Sequence, residues 1–299
     1  MKEGIVAGVG LLVKDTTLLL PKYPAENDKI NASRSIEEIG GPVPIALMYL
    51  SRLGWNVRLA ALIGDDSSGK FVKRRLDDEN FDTRYIVEQE GRETSYSQIW
   101  LSRHSGSRNV ATWNGTLETL SPDNIPDDFF NGVKHLHIDG REPEVKSYVA
   151  QVARDLGITI SYDAGTYKVG GETLLDKVDI VFASRRFLAD WQGIDDMAEA
   201  SRRLKEFGPV MAIVTDGENG LAYTDQGGTF YHKAYAVEPV LDTNGAGDVF
   251  CGAYIHATLL DKSVEDCISF ASAAAALKCM TLGKRNLPSE AEVLEFIGD

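Results

Sequence analysis

The chain is short of cysteine, of basic charge and of long apolar runs. Its 299 residues hold three cysteines, Cys251, Cys267 and Cys279. An odd number with no CxxC pair argues against a disulfide frame or a zinc site and suits a reducing cytosol. Cys267 and Cys279 stand in Ala-rich, helical surroundings and read as small core residues. Lysine and arginine number 31 against 45 aspartates and glutamates, a net charge of −14. Such a surface repels a polyanion, which argues against nucleic acid as a partner. Any anionic ligand must then be captured by local N–H groups and a few basic side chains. No apolar stretch reaches the roughly 18 residues of a membrane span. The opening MKEGIVAGVG lacks the charged-then-apolar pattern of a secretion signal. A cytoplasmic location away from membranes is the expectation. Repeats, low-complexity tracts and linker-like shifts are also missing, so residues 1–299 are expected to form one unit.

What is present is a core-forming composition, 43% hydrophobic, arranged as short apolar runs alternating with helical patterns. That is the signature of a mostly parallel sheet with helices on both faces. Core strands are expected at Gly4–Gly10, Val57–Ile63, Val133–Asp139, Thr159–Tyr162, Asp179–Ala183 and Val210–Thr215. Helices are expected near Pro44–Leu53, Lys70–Glu79, Pro143–Asp155 and Met197–Phe207. Two stretches, Val13–Ile36 and Thr94–Trp113, alternate apolar and polar residues with no helix between strands. They read as an antiparallel excursion, a candidate lid.

The run Asp242-Thr243-Asn244-Gly245-Ala246-Gly247-Asp248 is followed at once by an apolar stretch from Val249 to Leu260. Its glycines allow a tight turn, and the periodic residues behind them predict a helix starting at about Asp248. A helix start offers unpaired N–H groups and a positive dipole end, a ready site for phosphates. Asp248 is out of place beside phosphate unless it acts as a general base on a hydroxyl that attacks a phosphoryl group. The simpler alternative is a turn whose aspartate complements the helix dipole. Gly40-Gly41 precedes another helix and reads either as a ligand-holding turn or as a plain loop. Asp65 and Asp66 read as capping residues ahead of Lys70–Leu76.

Together these motifs resemble the ribokinase, or PfkB, family of carbohydrate kinases, nearly end to end. Asp242–Asp248 fits that family's Asp-Thr-x-Gly-Ala-Gly-Asp signature in full. Gly10 with Asp15, Lys22-Tyr23-Pro24, Gly40-Gly41, Gly64-Asp65-Asp66-x-x-Gly69, Thr215-x-Gly217-x-x-Gly220 and Ala275-Ala276-Leu277-Lys278-Cys279 support it in order and spacing. His137-Ile138-Asp139-Gly140-Arg141 and Lys278-Cys279 look most like the ketohexokinase and sulfofructose-kinase branch. The resemblance implies a ribokinase-like α/β fold with a small β-sheet lid and ATP-dependent phosphorylation of a primary hydroxyl of a small sugar. It implies ATP and Mg²⁺ as cofactors. Asp248 would be the base, and Gly245, Ala246 and Gly247 the anion hole. Asp15, Gly40 and Gly41 would hold the sugar, with Arg108, Asp139 and Arg141 near the substrates. Thr215, Gly217, Gly220 and Ala274 would follow the nucleotide. Lids of this family often pair two subunits, which implies a homodimer in which Asp28 could reach across.

Departures from the pattern leave the acceptor open. Ile45 stands where many members carry an asparagine, and Val13 where ribokinases often carry a polar contact. The family's Asn-x-x-Glu element, which organises Mg²⁺, appears as Ser184-Arg185-Arg186-Phe187, so the metal ligands stay unassigned. The loop Leu282–Arg285 leaves activation by a monovalent cation open. Arg141 and Lys168 could serve a sugar phosphate or an acidic sugar, and Trp113 could serve a nucleoside. A kinase-fold sensor without turnover is the non-enzymatic alternative.

Overall fold

Apolar runs without polar alternation become strands covered on both sides, and here they build the middle of one large sheet. The computed structural model describes residues 2–104 and 106–298. The chain opens with β1 (Ile5–Val9), β2 (Val13–Leu20), β3 (Arg34–Gly40), α1 (Pro42–Arg52), β4 (Asn56–Gly64) and α2 (Ser67–Asp78). It continues through β5 (Phe81–Asp82), β6 (Ile86–Gln89), β7 (Tyr96–Ser102), β8 (Arg108–Trp113), β9 (Val133–Asp139), α3 (Pro143–Asp155) and β10 (Thr159–Ala164). Next come β11 (Ile180–Ser184), α4 (Arg185–Gln192), α5 (Met197–Glu206), β12 (Met211–Thr215), β13 (Leu221–Thr224) and β14 (Thr229–His232). The helices α6 (Ala246–Leu259), α7 (Val264–Cys279) and α8 (Glu290–Ile297) close it.

The main sheet runs β14-β13-β12-β11-β10-β9-β1-β4-β5, with β6 also on β4. From β12 to β5 every pairing is parallel; β13 and β14 add an antiparallel edge hairpin that the sequence pattern did not single out. Successive strand residues face opposite sides. Leu59 and Ala61 therefore enter a cluster with Val43, Leu47, Val249, Ala253 and Ile268 of α1, α6 and α7. Ala60 and Leu62 enter a second cluster with Val149, Phe187 and Leu204 of α3, α4 and α5. The helix α6 is buried along Val249–Ala257, the behaviour of an apolar-all-round helix. This is the ribokinase-like architecture that the motifs implied.

Helix starts differ from the sequence expectation for a local reason. The helix α2 begins at Ser67, three residues before the expected Lys70, because the Asp66 carboxylate accepts from Gly69 N at 2.9 Å and caps it. Asp65 does not cap; it accepts from Gly91 N. The helix α6 begins at Ala246, which puts Asp248 inside the first turn instead of at its start.

A separate four-stranded sheet in the order β3-β2-β7-β8 carries both excursion segments. The alternation expected over Val13–Ile36 divides into two strands, the second running on to Gly40. β2 is parallel to β7 and antiparallel to β3, so the sheet is mixed and not wholly antiparallel as expected. Asp15 lies opposite Glu38 and Ser97, and Lys14 opposite Ile39 and Tyr96, so one face carries the carboxylates and the other the aromatic rings.

Candidate active site

Parallel strands end in a crevice where their last side chains meet the loops that follow. Asp139 ends β9, Asp163 lies directly beside it on β10, and α6 starts with the Gly245–Asp248 turn above them. Gly245 has φ 85°, the left-handed conformation that an L side chain resists, and it caps α6. Gly247 differs: a Cβ placed on it would meet nothing within 4 Å. Neither packing nor backbone requires glycine at Gly247, and its bareness leaves the helix N–H groups open to a ligand.

Asp242 fixes this turn. Its Oδ1 accepts from Asn244 N at 2.8 Å and its Oδ2 from Gly283 N at 3.0 Å. Lys278, fully buried, donates to Asp242 O at 2.7 Å. A second buried ammonium, that of Lys284, donates to Asp15 Oδ2 at 2.7 Å and to Ile39 O at 2.9 Å, while Lys284 N donates to Glu38 Oε1. Lys284 thus ties the loop after α7 to strands β2 and β3 of the small sheet. Arg108 of β8 donates to Thr243 Oγ1 at 2.9 Å, so the far edge of the lid reaches the same turn.

These charges act on Asp248. Burial pushes its carboxyl up, to about 8, and the Asp163 carboxylate adds to the rise; Lys284 and Arg108 oppose it. Asp163 is itself raised to about 6 by burial, with Gly165 N–H pulling down and Asp139 pushing up. In such a pair one carboxyl ionises first and its charge holds the other up. Asp163 goes first.

The structure brings Asp15, Arg108, Gly245, Ala246, Gly247 and Asp248 into one region. Gly40 and Gly41 lie beside it for steric reasons. A Cβ on Gly40 would sit 2.3 Å from Asp15 Oδ1, and one on Gly41, at φ 103°, would sit 2.0 Å from Leu11 O. Asp139 is almost fully engaged, accepting from Leu11 N at 2.7 Å and Arg141 N at 3.1 Å and facing the buried Lys146 at 3.6 Å. Arg141 follows it, half-buried, while Lys168, Trp113 and Asp28 are exposed. Thr215 ends β12; Gly217 and Gly220 follow at positive φ. Ala274 is fully buried in the core, and among its neighbours Ala275, Ala276 and Leu277 are half-buried. Ser184 caps α4 and Arg185 pairs with Asp195 and Asp216, so this element is a helix start. Sequence reasoning missed Asp163 and Lys284. The rule that polar residues at carboxyl ends of parallel strands line crevices would have found Asp163; nothing local marks Lys284.

Two outcomes follow from this electrostatic arrangement. Lys284→Met is expected to destabilise the protein by about 3–5 kcal/mol, because it leaves buried carboxylates without their cation. Denaturant unfolding reads the loss, and Asp15→Asn in the same chain should recover part of it. In carboxyl-resolved NMR of the unliganded protein, Asp248 should titrate well above the ordinary carboxylate range, and Asp163→Asn should move it to lower pH. An Asp248 that titrates like an exposed aspartate would refute the coupling.

The sequence model of the pfkB family of carbohydrate kinases matches residues 18–291. Over 298 residues the chain is 26% identical to the ATP-dependent ribose-1-phosphate kinase of Halopiger xanaduensis, covering 98% of each. It is 23% identical to the ribokinase of Haemophilus influenzae, covering 97% of each. Among solved structures, Arabidopsis thaliana ribokinase complexed with ribose and ATP superposes with a TM-score of 0.83 at 22% identity, covering 100% of both chains. Thermotoga maritima ribokinase gives 0.84 at 19% identity, with 99% of this chain and 100% of that one covered. Fold, signature turn and family match agree: the chain belongs to the pfkB family of carbohydrate kinases, which transfer phosphoryl groups to sugars or their derivatives.

Proposed function

We propose that this kinase transfers the γ-phosphoryl group of ATP to a primary hydroxyl of a small ketose or ketose derivative, with Asp248 as general base, and that residues 1–299 act as one kinase domain under a β-sheet lid. The observation that carries the mechanism is Asp248 in the first turn of α6, beside the bare Gly247 and between two cations and a second carboxylate. A carboxylate with a raised pKa is a stronger base, matched to a hydroxyl proton near neutral pH. N–H groups at Gly245, Ala246 and Gly247 stabilise charge on the moving phosphoryl, and Arg108, which reaches from β8 to Thr243, assists beside the same turn. Asp15, paired with the Lys284 ammonium, accepts hydroxyls of the acceptor. Thr215, Gly217 and Gly220 flank the nucleotide, and the half-buried neighbours of Ala274 lie toward its base.

Magnesium fits the donor set. Asp163 and Asp248 offer hard oxygens, and among the described residues neither carboxylate has an ion-pair partner within salt-bridge distance. Asp163 would hold the ion through its waters in place of the family's Asn-x-x-Glu element, leaving Asp248 to act as the base; when bound, the ion would supply neutralisation of phosphate charge. For a monovalent cation the fit is poorer, because the Lys278 ammonium already donates to Asp242 O beneath the turn.

The ketose reading rests on the likeness of His137–Arg141 and Lys278-Cys279 to the ketohexokinase branch and on the buried Ile45, which supplies no hydroxyl partner. A sugar phosphate is the second reading, favoured by the half-buried Arg141 at the crevice and by the ribose-1-phosphate kinase among the relatives. An ADP-release assay over a fructose-type ketose, its acidic derivative, ribose, ribose 1-phosphate and adenosine decides between them. The ketose or its derivative should lead ribose and adenosine by at least ~10-fold in kcat/KM, about 1.4 kcal/mol. Preference for ribose 1-phosphate would favour the second reading, and no turnover with any acceptor would favour a sensor.

Asp248→Asn should lower kcat by at least ~10³-fold and leave ATP affinity within a few-fold, since base and acceptor orientation are lost together. A variant that keeps a tenth of the turnover would remove Asp248 from this role.

The lid also supports a homodimer. Tyr96, Trp100 and Trp113 share its face away from Asp15 and are 40–49% exposed, and the whole of β8 is an exposed edge strand. Light scattering should give about twice the chain mass, and Trp100→Glu should bring it toward one chain. A monomeric parent chain would refute this.

A further inference from the structure

Beneath the catalytic turn, on the face of the sheet that packs against α6, lies a polar chain that the phosphoryl-transfer chemistry does not use. His137 on β9 and Ser161 on β10 are in register. Ser161 Oγ lies 2.8 Å from His137 Nδ1 and 2.7 Å from His135 Nε2. Both imidazoles are fully buried, and burial lowers their pKa values to about 4 and about 3, so both are neutral. His137 Nε2 has no hydrogen-bond partner among the described residues. A buried nitrogen without a partner is costly, and its presence calls for a reason.

That reason is close by. One ring nitrogen of His137, one carboxylate oxygen of Asp163 and Sγ of Cys251 all lie within 4.8 Å of one another. In the tautomer whose Nδ1–H donates to Ser161 Oγ, Nε2 carries the free lone pair. Cys251 Sγ is already 3.7 Å from Asp163 Oδ2. Bonds of ~2.0–2.3 Å in a tetrahedral site separate ligand atoms by roughly 3.5 Å, so side-chain adjustments of about an ångström close the set. Ser161 supplies the outer contact that fixes a ligating histidine's tautomer and ring plane.

We propose that His137 Nε2, Cys251 Sγ and Asp163 form a binding site for a zinc-class divalent cation, with a fourth position open toward the crevice. A thiolate and an imidazole select such an ion over magnesium, which prefers oxygen alone. Three protein ligands and one open position match the exchangeable kind of zinc site, not the closed structural kind. Binding replaces the S–H bond of Cys251 with an S–metal bond and releases that proton to solvent. The half-buried Asp163 is the point of access. The cysteine spacing that argued against zinc in the sequence concerns ligands close in the chain; these three come from β9, β10 and α6.

A regulatory consequence follows, and this part alone rests on the proposed roles of Asp163 and Asp248. A metal that claims Asp163 takes it from its position beside Asp248, so zinc at one equivalent should suppress turnover, reversibly on chelation.

Cobalt(II) titration of the intact protein tests the site itself. One equivalent should bring up a thiolate-to-cobalt charge-transfer band and the intense visible bands of a tetrahedral ion, with release of a proton. Cys279→Ser should keep both, while Cys251→Ser, with unchanged circular dichroism, should lose the charge-transfer band. Ser161→Ala should weaken binding ~10–100-fold, the usual effect of removing an outer partner. A missing band, or one that survives Cys251→Ser or vanishes with Cys279→Ser, would overturn the site. Zinc inhibition measured with excess Mg-ATP should disappear in Cys251→Ser; inhibition that persists there would overturn the regulatory consequence, whatever the spectra show.

Discussion

A buried ammonium holds the two halves of this site together. Lys284 leaves a loop near the end of the chain and places its Nζ between Asp15 of β2 and the carbonyl of Ile39 in β3, with its own N–H on Glu38. Removing an ammonium from water costs several kcal/mol, recovered only if partners and geometry are good. Here two acceptors from two strands of the small sheet serve it and Glu38 holds its backbone N–H, so the root of that sheet is fixed relative to the loop that also receives Asp242. Gly40 is part of the same constraint, since its missing side chain gives the Asp15 carboxylate its room. Asp15 is therefore held in place by the same ion pair that anchors the small sheet.

Asp242 repeats this logic one layer deeper. Its carboxylate takes backbone N–H groups from its own turn and from Gly283, while Lys278 secures its carbonyl. The turn that exposes the N–H groups of α6 is thus supported from below by a charge network instead of by apolar packing. A rigid support matters because stabilising a developing charge requires dipoles already in place. Around Asp248, Lys284 and Arg108 pull its pKa down while burial and Asp163 push it up, with burial dominant. The result is a carboxyl held above the ordinary carboxylate range.

Asp163 joins two chemistries. Toward Asp248 it is one of two closely placed carboxylates, and toward Cys251 and His137 it is one of three ligand-type groups whose atoms lie within 4.8 Å of one another. Each face of this single side chain suits a different class of cation. The neighbouring Asp139 has no such freedom, because Leu11, Arg141 and Lys146 occupy it; it braces the crevice wall at the carboxyl end of β9.

Much of this was legible in the chain. Apolar runs such as Val57–Ile63 and Val210–Thr215 specify buried parallel strands because burial on both faces permits no polar alternation. The excursion segments alternate because successive strand residues face opposite sides of a sheet whose two faces differ in chemistry. The signature at Asp242–Asp248 marks the anion turn, since turn glycines, a helix start and a carboxylate are contiguous. Boundaries were less legible: α2 starts at Ser67 through the cap made by Asp66, and the mixed pairing of the lid depends on β7, which enters more than 70 residues after β2. Least legible were Lys284 beside Asp15, 269 positions away, and Asp163 beneath Asp248 with Cys251 and His137. The sequence by itself determined the strand and helix pattern and the glycine turn at the start of α6, because propensity, periodicity and turn chemistry act between near neighbours. Only the tertiary structure decided which charges share a buried volume, because Coulomb and desolvation energies depend on distance in space and not along the chain.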